Sequence, residues 1–246
     1  MRNASVKAAR GLQFVFLAVF LVLCGVIGRE LYESEQTETL SVSLVTTYET
    51  NEDTDWSHGM LEINEDYAGW LEVDGTGIRM PIVLGKDNDY YLRHDFQCQE
   101  NRRGCCYLDF RTELASHGNL VIYGHNMKDD TMFGELDRFK DGDFFEQHRL
   151  VKWTDREGEH LYQLFAAAVI PGDREDPEYV EISPWINKPS RNEMAVMLDT
   201  LAKRSAIWKE VWHGESDRYL FLVTCDYSRS NGRLILAAQE VVDESK

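Results

Sequence analysis

Leu220-Phe221-Leu222-Val223-Thr224-Cys225-Asp226-Tyr227 is an apolar, strand-like run that ends at a thiol, and Arg233 returns eight residues after the cysteine. About a hundred residues upstream, Asn119-Leu120-Val121-Ile122-Tyr123-Gly124-His125-Asn126-Met127 is a second apolar run ending at an imidazole. A thiol in a sheet is ordinarily a small hydrophobe. Here Asp226, Tyr227, Ser228, Arg229 and Ser230 follow it, which puts Cys225 at the surface end of its strand. His125 has the same placement, and Arg233 precedes the apolar run Leu234–Ala238. A nucleophile, a proton carrier and a cation for an oxyanion, each at the end of an apolar run, are the groups needed for acyl transfer through a thioester.

The rest of the chain supplies a frame for these ends. Short β-like runs separated by Gly, Asp and Asn turns are expected at Gly69–Val73, Ile78–Leu84, Cys105–Phe110, Leu120–Tyr123, Leu150–Thr154, His160–Ile170, Tyr219–Thr224 and Leu234–Val242. Asp74-Gly75-Thr76-Gly77 and Arg156-Glu157-Gly158-Glu159 read as hairpin turns. Ser190-Arg191-Asn192-Glu193 is a capping box, followed by an apolar stripe of Met194, Met197, Leu198 and Leu201. Shorter helices are expected over Asn64–Tyr67, Asp87–Leu92 and Met132–Phe139. Eight strands with few helices predict a mainly β fold, an eight-stranded closed or nearly closed barrel with peripheral helices.

The beginning of the chain is of another kind. Residues 11–28 read GLQFVFLAVFLVLCGVIG, without a charge. As a helix they span roughly 27 Å, close to the roughly 30 Å hydrocarbon core of a bilayer. Arg2, Lys7 and Arg10 precede them, whereas Glu30, Glu33 and Glu35 follow with Arg29 alone among them, so the positive-inside rule puts residues 1–10 in the cytoplasm. A cleaved signal peptide needs a small-x-small site that no clear stretch supplies, and a lipoprotein site at Cys24 needs a small residue where Leu23 stands. Residues 29–55, rich in Ser, Thr and acids, read as a stalk, and residues 56–246 as an exterior domain.

Formal charge is −17, and becomes −20 without residues 1–10. An acidic exterior without a basic stripe argues against nucleic acid as a partner. The five cysteines, Cys24, Cys98, Cys105, Cys106 and Cys225, form no CxxC pair set, and no HExxH pattern occurs, so neither a metal nor another cofactor is expected.

Tyr123-Gly124-His125-Asn126-Met127 with Lys128–Gly134 behind it, the Leu222-Val223-Thr224-Cys225 stretch and the following Arg233 together resemble the class B sortases. Gly85–Leu92, Tyr107–Arg111 and Tyr67–Leu71 add to the resemblance, which covers about residues 60–242. It implies a sortase β-barrel and transpeptidation at the outer surface of a Gram-positive-type cell. Cys225 then attacks the carbonyl after Thr in an NPxTG-like C-terminal sorting signal. His125 protonates the leaving amine and activates the incoming one, and Arg233 holds the substrate backbone and the oxyanion. Asn88, Leu92, Tyr179, Ile182, Ser183 and Thr224 fall at positions expected to bind the sorting signal, while Val223 replaces a serine common in the family. Asn126 and Asp226, each next to a catalytic position on a strand end, point to the opposite face and read as structural.

Cys105 and Cys106 replace small-polar and aliphatic residues of the family. Cys106 shares a strand face with Leu108 and Phe110 and reads as core, which leaves Cys98 and Cys105 as the expected disulfide. The acceptor amine expected is that of a cell-wall precursor. A pilin lysine, release to water by a cysteine endopeptidase, and an anchored binding module without turnover are the alternatives.

Overall fold

A computed structural model describes residues 2–51, 56–210 and 217–241, with side chains from Gln13 onward. The chain divides into two compact units between Ser43 and Leu44. Helix α1, Arg2–Thr50, is continuous through the acidic stretch read as a stalk. From Gln13 it holds an 18-residue window of mean hydropathy 2.2, long and apolar enough to cross a membrane. Its last turns belong to the second unit. Leu44 and Tyr48 are buried there, and the Tyr48 ring stacks on Trp70 at 4.0 Å and on His58 at 4.1 Å. Arg79 pairs with Glu49 within the same unit.

The second unit contains β1 (Tyr67–Val73), β2 (Arg79–Val83), β3 (Tyr107–Leu108), β4 (Leu120–Tyr123), β5 (Leu150–Asp155), β6 (Gly158–Pro171), β7 (Ser205–Trp208), β8 (Tyr219–Asp226) and β9 (Gly232–Glu240). In the order β5-β1-β2-β3-β4-β8-β9-β6 each strand pairs with the next, and β6 pairs back onto β5. The sheet thus closes into an eight-stranded barrel. Strand β6 is long enough to serve three partners. Gly158–Gln163 pairs with β5, Ala166–Ala168 pairs with β7, and Tyr162–Pro171 pairs with β9. The ninth strand, β7, was not expected, because Ser205–Trp208 follows helix α4 (Arg191–Arg204) without a turn signal.

Two cores explain the unbroken apolar run of β8. Leu220 and Leu222 face the barrel interior with Leu71, Ile82, Leu108, Ile122, Trp153, Leu234 and Leu236. Tyr219, Phe221 and Val223 face outward with Val121, Ile235 and Ala237, under Trp185, Ile186 and the α4 residues Met197 and Leu201. A strand covered on both faces loses its polar alternation. An eight-stranded barrel is just wide enough for side chains to fill it.

Three short helices differ from expectation. Helix α2 occupies Met60–Ile63, ahead of the expected Asn64–Tyr67, because buried Asn64 caps it and donates to the Phe96 carbonyl (2.9 Å) while Tyr67 already pairs in β1. The 87–92 and 132–139 stretches form 3-10 turns at Tyr90–Leu92 and Gly134–Lys140, and α3 spans Gly142–Gln147. The capping box of α4 forms as read, with Ser190 Oγ accepting from Glu193 N and Glu193 from Ser190 N.

The expected Cys98–Cys105 disulfide is not formed. Cys98, at φ +60°, is exposed with its Sγ 3.8 Å from Tyr91 Oη, whereas the buried Cys105 thiol turns to the Cys106 carbonyl. Phe110 departs from the inward face it was expected to share with Cys106 and Leu108. It lies beyond the two-residue β3 and is half exposed.

Candidate active site

Strand register brings the three sequence-read groups together. Strands β4 and β8 run parallel with Tyr123 beside Val223, and Gly124 N donates to the Val223 carbonyl (3.1 Å), carrying the pairing one step past β4. His125 therefore comes up alongside Cys225. On the other side of β8, Arg233 of β9 is the direct cross-strand partner of Cys225. With neighbouring strands about 4.8 Å apart, the three backbones span about 10 Å.

They also share a face. Alternation puts Cys225 with Val223 and Phe221, His125 with Tyr123 and Val121, and Arg233 with Ile235 and Ala237. Those partners form or pack against the outer core beneath α4 and Trp185. Where that cover ends, the thiol, the imidazole and the guanidinium emerge half-buried.

The residues between them act from the opposite face. Thr224, buried, donates its hydroxyl to the Gly124 carbonyl (2.8 Å), and Asn126 Nδ2 donates to the Cys225 carbonyl (2.8 Å). These two cross-ties clamp the ends of β4 and β8 at the level of His125 and Cys225. Thr224 was expected to touch the sorting signal, but its hydroxyl faces inward and is spent on the clamp. Asp226 is fully buried and receives Lys140 Nζ at 2.7 Å. Burial raises its pKa, but the Lys140 and Ser228 hydrogen bonds more than offset this and hold the carboxyl below its ordinary value.

The imidazole is oriented by a backbone group. His125 Nε2 lies 3.0 Å from the Leu92 carbonyl oxygen. A carbonyl only accepts, so Nε2 carries the proton and the neutral ring keeps Nδ1 as its acceptor. Arg233 Nη1 donates to Asn231 Oδ1 (3.1 Å) and to the Gly232 carbonyl (2.9 Å). Its guanidinium lies over Gly172, where a Cβ would come within 2.9 Å of Cζ.

Among the other expected substrate positions, Leu92 enters through this carbonyl. Asn88 donates to Asp109 Oδ2 (3.0 Å) and accepts from Phe110 N (3.0 Å). Asp109 is fully buried and also accepts from Arg111 and from Tyr123 Oη (3.2 Å), so Asn88 belongs to a network that ends two residues before His125. Burial and the neighbouring Asp109 push the Tyr123 hydroxyl pKa well up, which keeps it a neutral donor. Ile182 packs against the outer core. Tyr179 lines a cleft of about 790 Å³ between its own connection and α4, with its hydroxyl on Glu181. Ser183 opens the 3-10 turn Ser183–Trp185, its amide donating to Glu181.

Tyr227 lies in the bend that follows β8. It is 68% exposed and donates its hydroxyl to the Asn126 carbonyl (3.2 Å). No cluster of three or more His, Cys, Asp or Glu suited to a metal occurs among the described residues.

Residues 71–241 match the family model described as the sortase domain. The chain belongs to the sortase family. It is 30% identical over 243 residues to sortase B of Listeria monocytogenes, covering 94% of this chain and 96% of that protein. The crystal structure of Clostridium perfringens sortase B is similar at 31% identity and a TM-score of 0.66, covering 74% of this chain and 98% of that one. That of Bacillus anthracis sortase B gives 26% identity and a TM-score of 0.73, covering 87% of this chain and all of the other. The sortase barrel and the class B cysteine transpeptidase activity expected from the sequence are therefore those of this chain.

Proposed function

We propose that this sortase uses Cys225, His125 and Arg233 to cleave an NPxTG-like C-terminal sorting signal after Thr. It then transfers the new carboxyl end to an amine of a cell-wall precursor. The observation that carries the proposal is the shared outer face of three neighbouring strand ends, with Arg233 paired directly across from Cys225.

His125 Nδ1 takes the proton of the Cys225 thiol, the resulting thiolate attacks the Thr carbonyl, and the oxygen gains the displaced electron pair. Arg233, swung from Asn231 toward the thiol, holds that oxyanion. His125 gives a proton to the leaving amine as the C–N bond breaks, leaving a thioester on Cys225. An incoming amine attacks the thioester, and His125 takes its proton and passes it to the departing Cys225 sulfur. Because Nε2 donates to Leu92, Nδ1 is the nitrogen through which these protons pass. No carboxylate is needed to orient the ring, since the Leu92 carbonyl does so.

The apolar helix at residues 11–28 anchors the chain. The basic residues 1–10 stay in the cytoplasm, and the barrel stands outside the membrane, where surface proteins emerge. Incubating the detergent-solubilised chain with a sorting-signal peptide and a graded series of amines tests the proposal. Amide product should grow with amine concentration at the expense of hydrolysis, and hydrolysis alone at every concentration would overturn it.

A further inference from the structure

The segment Asn101-Arg102-Arg103-Gly104-Cys105 attracts notice in the sequence for its cysteine, yet its other residues converge on His125 from two directions.

The first direction is through the ring. The Leu92 carbonyl that receives His125 Nε2 ends a 3-10 turn, and the carbonyls on either side of it are both taken by this segment. Cys105 N donates to the Tyr91 carbonyl (2.9 Å), and Asn101 N donates to the Arg93 carbonyl (2.8 Å). Leu92's oxygen is left between them for the imidazole. Gly104, at φ +61°, makes this approach possible. A Cβ there would meet the Tyr91 oxygen at 2.3 Å and the Leu92 carbonyl carbon and oxygen at 3.0 Å.

The second direction is through the backbone. The loop after His125 folds back so that Phe133 N donates to the His125 carbonyl (2.9 Å) and Met132 bridges Asn126. Arg103, only 5% exposed, reaches into that loop and donates Nη1 to Asp129 Oδ2 (2.5 Å) and Thr131 Oγ1 (3.1 Å). Thr131 in turn donates to Asp129 Oδ1 (2.7 Å). A buried guanidinium must be paired, so the loop is held wherever Arg103 is held.

We infer that Asn101–Cys105 is the positioning element of the histidine. Gly104 and its flanking amides aim the Leu92 carbonyl at Nε2, and Arg103 fixes the loop that fixes the His125 backbone. The inference rests on the reading of His125 as the acid and base of transfer. Together the two arms do what a carboxylate does for the histidine of other cysteine and serine enzymes, setting the tautomer and the ring plane. Arg103 is thus a positioning residue that never touches the substrate. A displacement of the ring by about 1 Å costs on the order of 100-fold in rate.

The test is ring ¹⁵N NMR of the histidine-labelled full chain in micelles, with His125 assigned by its loss in His125→Gln. The unperturbed chain should show a protonated Nε2 and an unprotonated Nδ1. In Arg103→Met the two shifts should converge, kcat for a sorting-signal peptide should fall 10- to 100-fold at unchanged KM, and Arg103→Lys should recover part of both. If Arg103→Met does not fold, Asp129→Asn removes the same ion pair and should give the same convergence. A protonated Nδ1 in the unperturbed chain overturns the inference. So does an unshifted His125 spectrum in a folded Arg103→Met or Asp129→Asn variant. Full activity in His125→Gln would instead overturn the catalytic reading and leave the tautomer result standing on its own.

Discussion

Replacing Lys140 by Met removes the cation beneath the strand end that carries Cys225. Its ammonium lies 2.7 Å from Asp226 Oδ2 and 2.9 Å from Asp137 Oδ1, tying the Gly134–Lys140 turn to the residue after Cys225. The Asp226 side chain is wholly buried, whereas that of Lys140 is one-third exposed. Breaking a buried ion pair by removing one partner costs about 3–5 kcal/mol, because the other charge stays behind unpaired. Water on the lysine side and the Ser228 amide, 2.9 Å from Asp226 Oδ1, soften this to about 2–3 kcal/mol. At a urea slope near 2 kcal/mol per molar the midpoint should then fall by about 1 M. Asp226→Asn added to Lys140→Met should raise the midpoint again, since a neutral amide leaves no charge stranded. Urea unfolding of the unit from residue 44, followed by tryptophan fluorescence, measures all of these. The reasoning is refuted if Lys140→Met stays within about 0.5 kcal/mol of the parent, or if the added Asp226→Asn destabilises further.

Other consequences reach the opposite pole of the barrel and the arginine. His160 sits between Asp155 (3.4 Å) and Glu240 (2.9 Å), whose carboxylates raise its pKa to about 9. A raised cation contributes its stability in full below the unfolded value near 6.5 and loses it as pH rises through 9. The barrel should therefore lose on the order of 2–3 kcal/mol between pH 6.5 and 9.5, a slope that His160→Gln should abolish in urea titrations at stepped pH. Gly172→Ala places a methyl 2.9 Å from the Arg233 Cζ, at the movable end of a side chain, with the Asn231 carbonyl at 3.0 Å. It should lower kcat about 10-fold by re-aiming the guanidinium while the melting temperature stays within a few degrees. An unchanged kcat would detach Gly172 from the arginine.

What could be read from the chain divides along a physical line. Residues that act through side chains at the ends of apolar runs were legible, because a strand buried on both faces writes a continuous run and its last polar residue marks the exit. Cys225, His125 and Arg233, the residues proposed for the chemistry, stand at such ends, and seven of the barrel's strands and the capped helix at Ser190 could be read in the same way. The eighth, β3, shrinks to Tyr107–Leu108, which explains why Phe110 is not core. Groups that act through the backbone leave no residue signature. The Leu92 carbonyl is one, and Gly104's left-handed approach to it becomes meaningful only once Tyr91 and Leu92 are seen against it. Thr224 was placed on the right strand but assigned to the substrate, although alternation from Cys225 already turns it inward. Spacing and the elimination of Cys106 as core suggested the Cys98–Cys105 disulfide, and neither says which way two thiols point. Composition marked 29–55 as a segment apart without showing that the helix continues through it to Thr50, where Leu44 and Tyr48 are buried.

The central claim is that Cys225, flanked by His125 and Arg233, carries the acyl group. Mass spectrometry of the detergent-solubilised chain, incubated with a sorting-signal peptide in the absence of amine and digested at low pH, tests it directly. The peptide's mass up to Thr should appear as a thioester on the fragment containing Cys225. It should vanish on adding amine and be absent in Cys225→Ala. An adduct on the exposed Cys98, or one that persists in Cys225→Ala, would contradict the account.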